Sequence, residues 1–141
     1  MNKTASAHWE GDLKQGKGTI SSESGALDKQ PYGFNTRFED GAGTNPEELI
    51  GAAHAGCFSM AFSMLLGEEG FTPEAIDTQA TVTLEKQDDG FAVTAVHLEM
   101  RARIPGIANG QFEEIANKAK MGCPISKLLK ANITLDAVLE S

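Results

Sequence analysis

Cysteine is scarce in this chain: two residues in 141, Cys57 and Cys123, standing 66 positions apart (123 minus 57). Two thiols at that distance, with three scattered histidines, match no zinc spacing. Positive charge is also short: 12 basic against 20 acidic side chains leave a net charge of -8, which repels phosphate backbones and argues against a nucleic-acid partner. There is no internal repeat and no low-complexity tract. After Met1-Asn2-Lys3-Thr4 comes a polar, strand-like segment with no apolar run of the signal-peptide kind. That predicts the cytoplasm, where thiols stay reduced and paired cysteines are free, catalytic or redox-active more often than structural. The hydrophobic share of 40% suits a folded domain, and 141 residues suffice for one core, so residues 1–141 are expected to form a single domain.

What is present reads as α+β. Residues 6–10 and 18–22 pattern as strands around a turn-rich linker, and residues 32–38 continue as a third extended segment after Pro31. Asn45-Pro46-Glu47-Glu48 is a helix start, with a capping residue, proline at the first helical position and two carboxylates at the positive end of the helix. Residues 49–66 then carry no charged side chain. The run is long enough to pose the question of a membrane span. Gly51, Gly56, His54, Ser59 and Ser63 within it, and acidic rather than basic flanks, point away from one. A helix buried on nearly all sides is the expectation. A chain this small cannot surround such a helix alone, which predicts a homo-oligomer.

A hairpin follows. Residues 77–86 alternate, with Ala80, Val82 and Leu84 on one face; Asp89-Gly90 is the expected turn. Val96, Leu98, Met100, Ala102 and Ile104 alternate with His97, Glu99, Arg101 and Arg103 as a half-buried antiparallel partner. Residues 111–120 form a helix with Phe112, Ile115, Ala116 and Ala119 as its stripe, Cys123-Pro124 opens a short helix, and residues 133–139 are a last strand.

Taken alone, Cys57 in Ala55-Gly56-Cys57-Phe58-Ser59 reads as a packing residue, since most apolar-flanked cysteines are. Cys123 is more telling. Ahead of Pro124 it falls at the N-cap, where a sulfur faces unpaired N–H groups and the thiolate is favoured; a structural role stays open. His54 shares a helix face with Cys57, and packing is the simpler account of it. Arg37, among aromatic neighbours, needs an anion if its head points inward, and a cysteine thiolate would serve. On these residues a dimeric, non-enzymatic ligand-binding or stress-interaction protein remains open beside an enzyme.

Several blocks in order resemble one family. Ala7-His8-Trp9-Glu10-Gly11, Pro31-Tyr32-Gly33-Phe34-Asn35-Thr36-Arg37-Phe38, Gly43-Thr44-Asn45-Pro46-Glu47-Glu48-Leu49, Ala52-Ala53-His54-Ala55-Gly56-Cys57-Phe58-Ser59-Met60 and Cys123-Pro124-Ile125-Ser126 are similar to the OsmC/Ohr family over nearly the whole chain. The resemblance implies antiparallel sheets around a long central helix in an intertwined homodimer. It implies a thiol-dependent peroxidase acting on organic hydroperoxides, and more weakly on hydrogen peroxide, in oxidative or osmotic stress. Cys57 would be the peroxidatic thiol and Cys123 the resolving one; Arg37 would hold the thiolate and Glu47 would orient Arg37. His54 stands where related hydroperoxide resistance proteins carry a tyrosine, so it is left outside this chemistry. The implied partners are a second subunit, the hydroperoxide and an external dithiol such as a dihydrolipoyl protein, with no metal, haem or flavin. Glu47 and Cys57 are ten residues apart, about 1,000° and a rise of about 15 Å on one straight helix. They cannot meet along such a helix, which predicts a bend or a site built from two chains.

Overall fold

The computed structural model describes residues 1–141, and their contacts gather into two compact units, Met1–Leu49 and Ile50–Ser141.

In the first unit, β1 (Ala5–Glu10), β2 (Lys17–Ser22) and β3 (Gln30–Tyr32) form an antiparallel sheet in that order. Pro31 is tolerated because β3 is an edge strand, where a missing N–H breaks no ladder. Trp9 and Tyr32 pack their rings 5.5 Å apart. They do so across Gly18, where a Cβ would lie 2.5 Å from Tyr32 Cε1 and 2.6 Å from Trp9 Cε3, so only glycine fits.

The third extended segment ends earlier than the alternation predicts. At Gly33 the chain turns into a short helix, α1 (Phe34–Phe38). The Thr36 hydroxyl accepts from the Gly33 N–H at 2.8 Å and donates to the Gly33 carbonyl at 3.0 Å, while the Arg37 N–H donates to that carbonyl at 3.2 Å. A threonine closing a local turn has overridden its strand preference. Phe34 and Phe38, one turn apart, then pack at 4.9 Å.

Helix α2 (Pro46–Glu68) starts as expected: Asn45 Oδ1 accepts the Glu48 N–H at 2.8 Å. It ends at Gly70, whose φ of +85° lets the Phe71 N–H return to the Leu66 carbonyl at 2.9 Å. By length and composition alone α2 could cross a membrane, with a mean hydropathy of 1.6 over its most apolar window. Its buried face, however, is tied by polar bonds into the second unit: Ser59 Oγ lies 2.7 Å from Thr78 Oγ1, and His54 is bonded to Ser126.

The second unit carries the core. Strands β4 (Ala75–Gln87) and β5 (Gly90–Arg103) pair antiparallel, and β6 (Asn132–Glu140) joins the other edge of β5. Here one ladder departs from the antiparallel expectation: β6 runs parallel to β5, from Ala95 opposite Asn132 to Arg103 opposite Glu140. Parallel neighbours need a crossover. The helices α3 (Asn109–Gly122) and α4 (Pro124–Leu128) provide it. The hairpin also differs in detail. Gln87 pairs with Gly90, so Asp88-Asp89 form the loop and Gly90 (φ +121°) follows it. A bulge between Thr83 and Leu84 shifts the alternation, and Leu84 does not join Ala80 and Val82 against the core.

Val96, Leu98, Met100, Ala102 and Ile104 are buried, as their spacing predicts, under the α3 stripe Phe112, Ile115, Ala116 and Ala119. From α2 come Phe58, Phe62 and Leu66, with Phe62 edge-on to Phe112 at 5.7 Å. Only one side of α2 is covered within the chain: Gly51, His54, Phe58, Phe62 and Leu66 are buried, and Ala52, Ala53, Gly56, Met60, Ser63, Met64 and Gly67 are exposed.

Candidate active site

Cys57 and Cys123, far apart in sequence, are brought together in the second unit as free thiols. Cys57 is half-buried, near the middle of α2. Cys123 is fully buried at the junction of α3 and α4. The fold places Cys123 as the sequence predicts: it is the N-cap of α4, Pro124 follows at the first helical position, and its Sγ accepts the Ser126 N–H at 3.4 Å. Burial pushes the Cys57 thiol above its ordinary value; a hydrogen bond from the Ile125 backbone acts against this, and the neighbouring Cys123 thiol adds to it. Within this unit Cys57 is therefore a protonated thiol at neutral pH.

His54 is wholly buried, and its Nε2 lies 2.7 Å from Ser126 Oγ on α4. Its Nδ1 is buried without a partner. Burial holds the imidazole below its ordinary pKa, so it is neutral at pH 7. The sequence suggested packing for His54. The packing is there, but the bond to Ser126 had no sequence signal, since the two residues are 72 positions apart.

Arg37 and Glu47 meet in the first unit, at the end of α1 and the first turn of α2. Arg37 Nη2 donates to Glu47 Oε1 at 2.6 Å, and Nε donates to Oε1 at 3.0 Å and Oε2 at 3.2 Å. The Glu47 side chain is 13% exposed and that of Arg37 38%, so the carboxylate is the better sheltered partner. The fork geometry fixes the guanidinium plane. Beside it Trp9, Leu13, Tyr32, Phe34 and Phe38 line a largely apolar cavity of about 180 Å³ that Arg37 also borders. Sequence reasoning missed this cavity, although Trp9, Tyr32, Phe34 and Phe38 all lie in the blocks it singled out. No group of three or more His, Cys, Asp or Glu is gathered to hold a metal ion.

The second unit thus holds two neighbouring free thiols, and the first a guanidinium fixed by a carboxylate. The sequence pattern of the OsmC family, described as OsmC-like protein, matches residues 39–138. Peroxiredoxin OsmC of Escherichia coli is 62% identical over 141 residues, covering 100% of this chain and 99% of that protein. Organic hydroperoxide resistance protein OhrB of Bacillus subtilis is 29% identical over 124 residues, covering 87% of this chain and 89% of that one. Among solved structures, an OsmC-like protein of unknown function from Vibrio cholerae superposes with a TM-score of 0.77 at 19% identity, over 98% of this chain and 99% of that one.

Proposed function

The chain belongs to the OsmC family, and from that premise we propose that it is a thiol-dependent peroxidase that reduces organic hydroperoxides, and hydrogen peroxide more weakly, in oxidative and osmotic stress defence. The observation that carries this reading is the facing pair of free thiols, Cys57 on α2 and Cys123 capping α4.

The Cys57 thiolate attacks the distal oxygen of ROOH. The O–O bond breaks, the alkoxide leaves and takes up one proton to become ROH, and Cys57 becomes a sulfenic acid. Cys123 then attacks that sulfur: the S–S bond forms, the S–O bond breaks, and water leaves. An external dithiol, a dihydrolipoyl protein being the class expected, reduces the disulfide by exchange and becomes a disulfide itself.

The first step needs a thiolate, while burial and Cys123 favour the thiol. A cation beside Cys57 resolves the conflict. Arg37, held in one plane by Glu47, is the residue assigned to it; its guanidinium would also steady the leaving oxygen. We assign the open face of α2 to a second copy of the chain in a homodimer, a cytoplasmic protein in which residues 1–141 act as one peroxidase domain.

Thiol titration before and after one equivalent of cumene hydroperoxide tests the reading. Loss of two thiols per chain with no crosslink between chains is expected. Retention of both thiols would leave the cysteines as packing residues.

A further inference from the structure

Helix α4 is a five-residue element with no fully buried residue of its own; Ile125 packs against the core, and its backbone bonds Cys57 directly. Its N-cap is Cys123, the second thiol. Its cap sulfur accepts the Ser126 N–H, and the hydroxyl of the same Ser126 lies 2.7 Å from His54 Nε2 on α2. His54 is itself fully buried and stands three residues before Cys57 on one helix. The two thiols are thus joined by a second route: from Cys57 back one turn to His54, across to Ser126, and onto Cys123 Sγ.

We infer that His54 is a positioning residue for disulfide closure, fixing the Cys123 cap against Cys57 through Ser126; the inference rests on the peroxidase reading. With Nδ1 buried and without a partner, the bond between Nε2 and Ser126 Oγ is the polar tie that holds the ring.

The consequence is a partition. The Cys57 sulfenic acid either condenses with the Cys123 thiol, losing water, or takes an oxygen from a second hydroperoxide, which leaves as alcohol while Cys57 becomes a sulfinic acid. Releasing α4 slows the first path and leaves the second untouched.

The test mixes full-length protein rapidly with cumene hydroperoxide, traps sulfenic acid with dimedone at successive times, and reads each species by intact mass. In Ser126→Ala and His54→Asn the first thiol should disappear at the wild-type rate, while disulfide closure slows about tenfold and the sulfinic share rises in step. His54→Gln, whose amide reaches the Nε2 position, should restore closure, as should Ser126→Thr. The Ser126→Ala/His54→Asn double variant should be no slower than either single one. Wild-type closure in Ser126→Ala, or additive losses in the double variant, would overturn the inference. A wild-type protein that loses no thiol to peroxide would instead overturn the peroxidase reading and this inference with it. Ser126→Ala removes one oxygen from a half-buried site, so it keeps the test open even if His54 variants fold poorly.

Discussion

Met60→Asp separates the chain's own stability from its assembly. Met60 is 77% exposed within one chain, so about three quarters of its burial value is still to be gained. Full burial of a methionine is worth roughly 1.5–3 kcal/mol. Covering it by a second copy then contributes about 1.2–2.3 kcal/mol per chain, or about 2.5–4.5 kcal/mol for a symmetric dimer. Aspartate forfeits this and adds a short carboxylate that cannot reach water from under a partner. At pH 7 that carboxylate can escape its desolvation by taking a proton, about three units above its ordinary pKa, which caps the penalty near 4 kcal/mol per chain. The lone helix loses only about 0.7 kcal/mol of propensity. A total above about 5 kcal/mol weakens the dimer more than a thousandfold, at about 1.4 kcal/mol per decade. Sedimentation velocity from nanomolar to high micromolar protein, with far-ultraviolet circular dichroism at each dilution, should show a folded variant largely monomeric where the wild type is dimeric. Lowering the pH to 5 should restore much of the association, because the proton then costs far less. A Met60→Asp protein that dimerises like wild type at pH 7 would refute the assignment of this face to a second copy.

Cys57→Ser should abolish peroxide reduction, whereas Cys123→Ser should consume about one equivalent and then stall or over-oxidise; thiol counting with intact mass distinguishes them. Arg37→Ala should leave Cys57 raised by burial, so in a Cys123→Ser background thiolate absorbance at pH 7 should fall and appear only on the alkaline side, above the ordinary value of 9.0. Its peroxide reduction at neutral pH should drop by orders of magnitude, and an unchanged titration would return Arg37 to a surface role. Phe62→Ala, at the junction of α2 and α3, should lower stability by about 3–5 kcal/mol in denaturant unfolding; a loss under 1 kcal/mol would mean that this ring does not anchor the core.

Most of the second unit was legible because its signals are periodic. The alternation from Val96 to Ile104 and the stripe from Phe112 to Ala119 needed only the pitch of a strand and of a helix. What failed was non-periodic. The helical turn at Phe34–Phe38 depends on where one threonine hydroxyl points, and the direction of β6 on the path of the crossover. At the site, the Cys123 cap could be read from Cys123-Pro124, since a proline fixes the start of a helix. The meeting of Cys123 with Cys57, and of His54 with Ser126, is a product of packing that spacing does not encode. Resemblance pointed to the cysteine pair; its blocks include His54 and Ser126, but it gave neither a role.

The parallel ladder has a consequence for the newly made chain. Ala95 pairs with Asn132, 37 residues on (132 minus 95), whereas the β4–β5 hairpin closes over two residues. Non-local pairing is slow because its loop must close before any contact rewards it. Cys123 lies on that loop, and Cys57 lies on a helix that precedes it. A folding chain can thus hold Cys57 in place before Cys123 arrives, exposed to peroxide with no second thiol to rescue it. A brief peroxide pulse early in refolding should then leave more sulfinic acid on Cys57 than the same pulse given to native protein, and equal amounts would show that the two thiols arrive together.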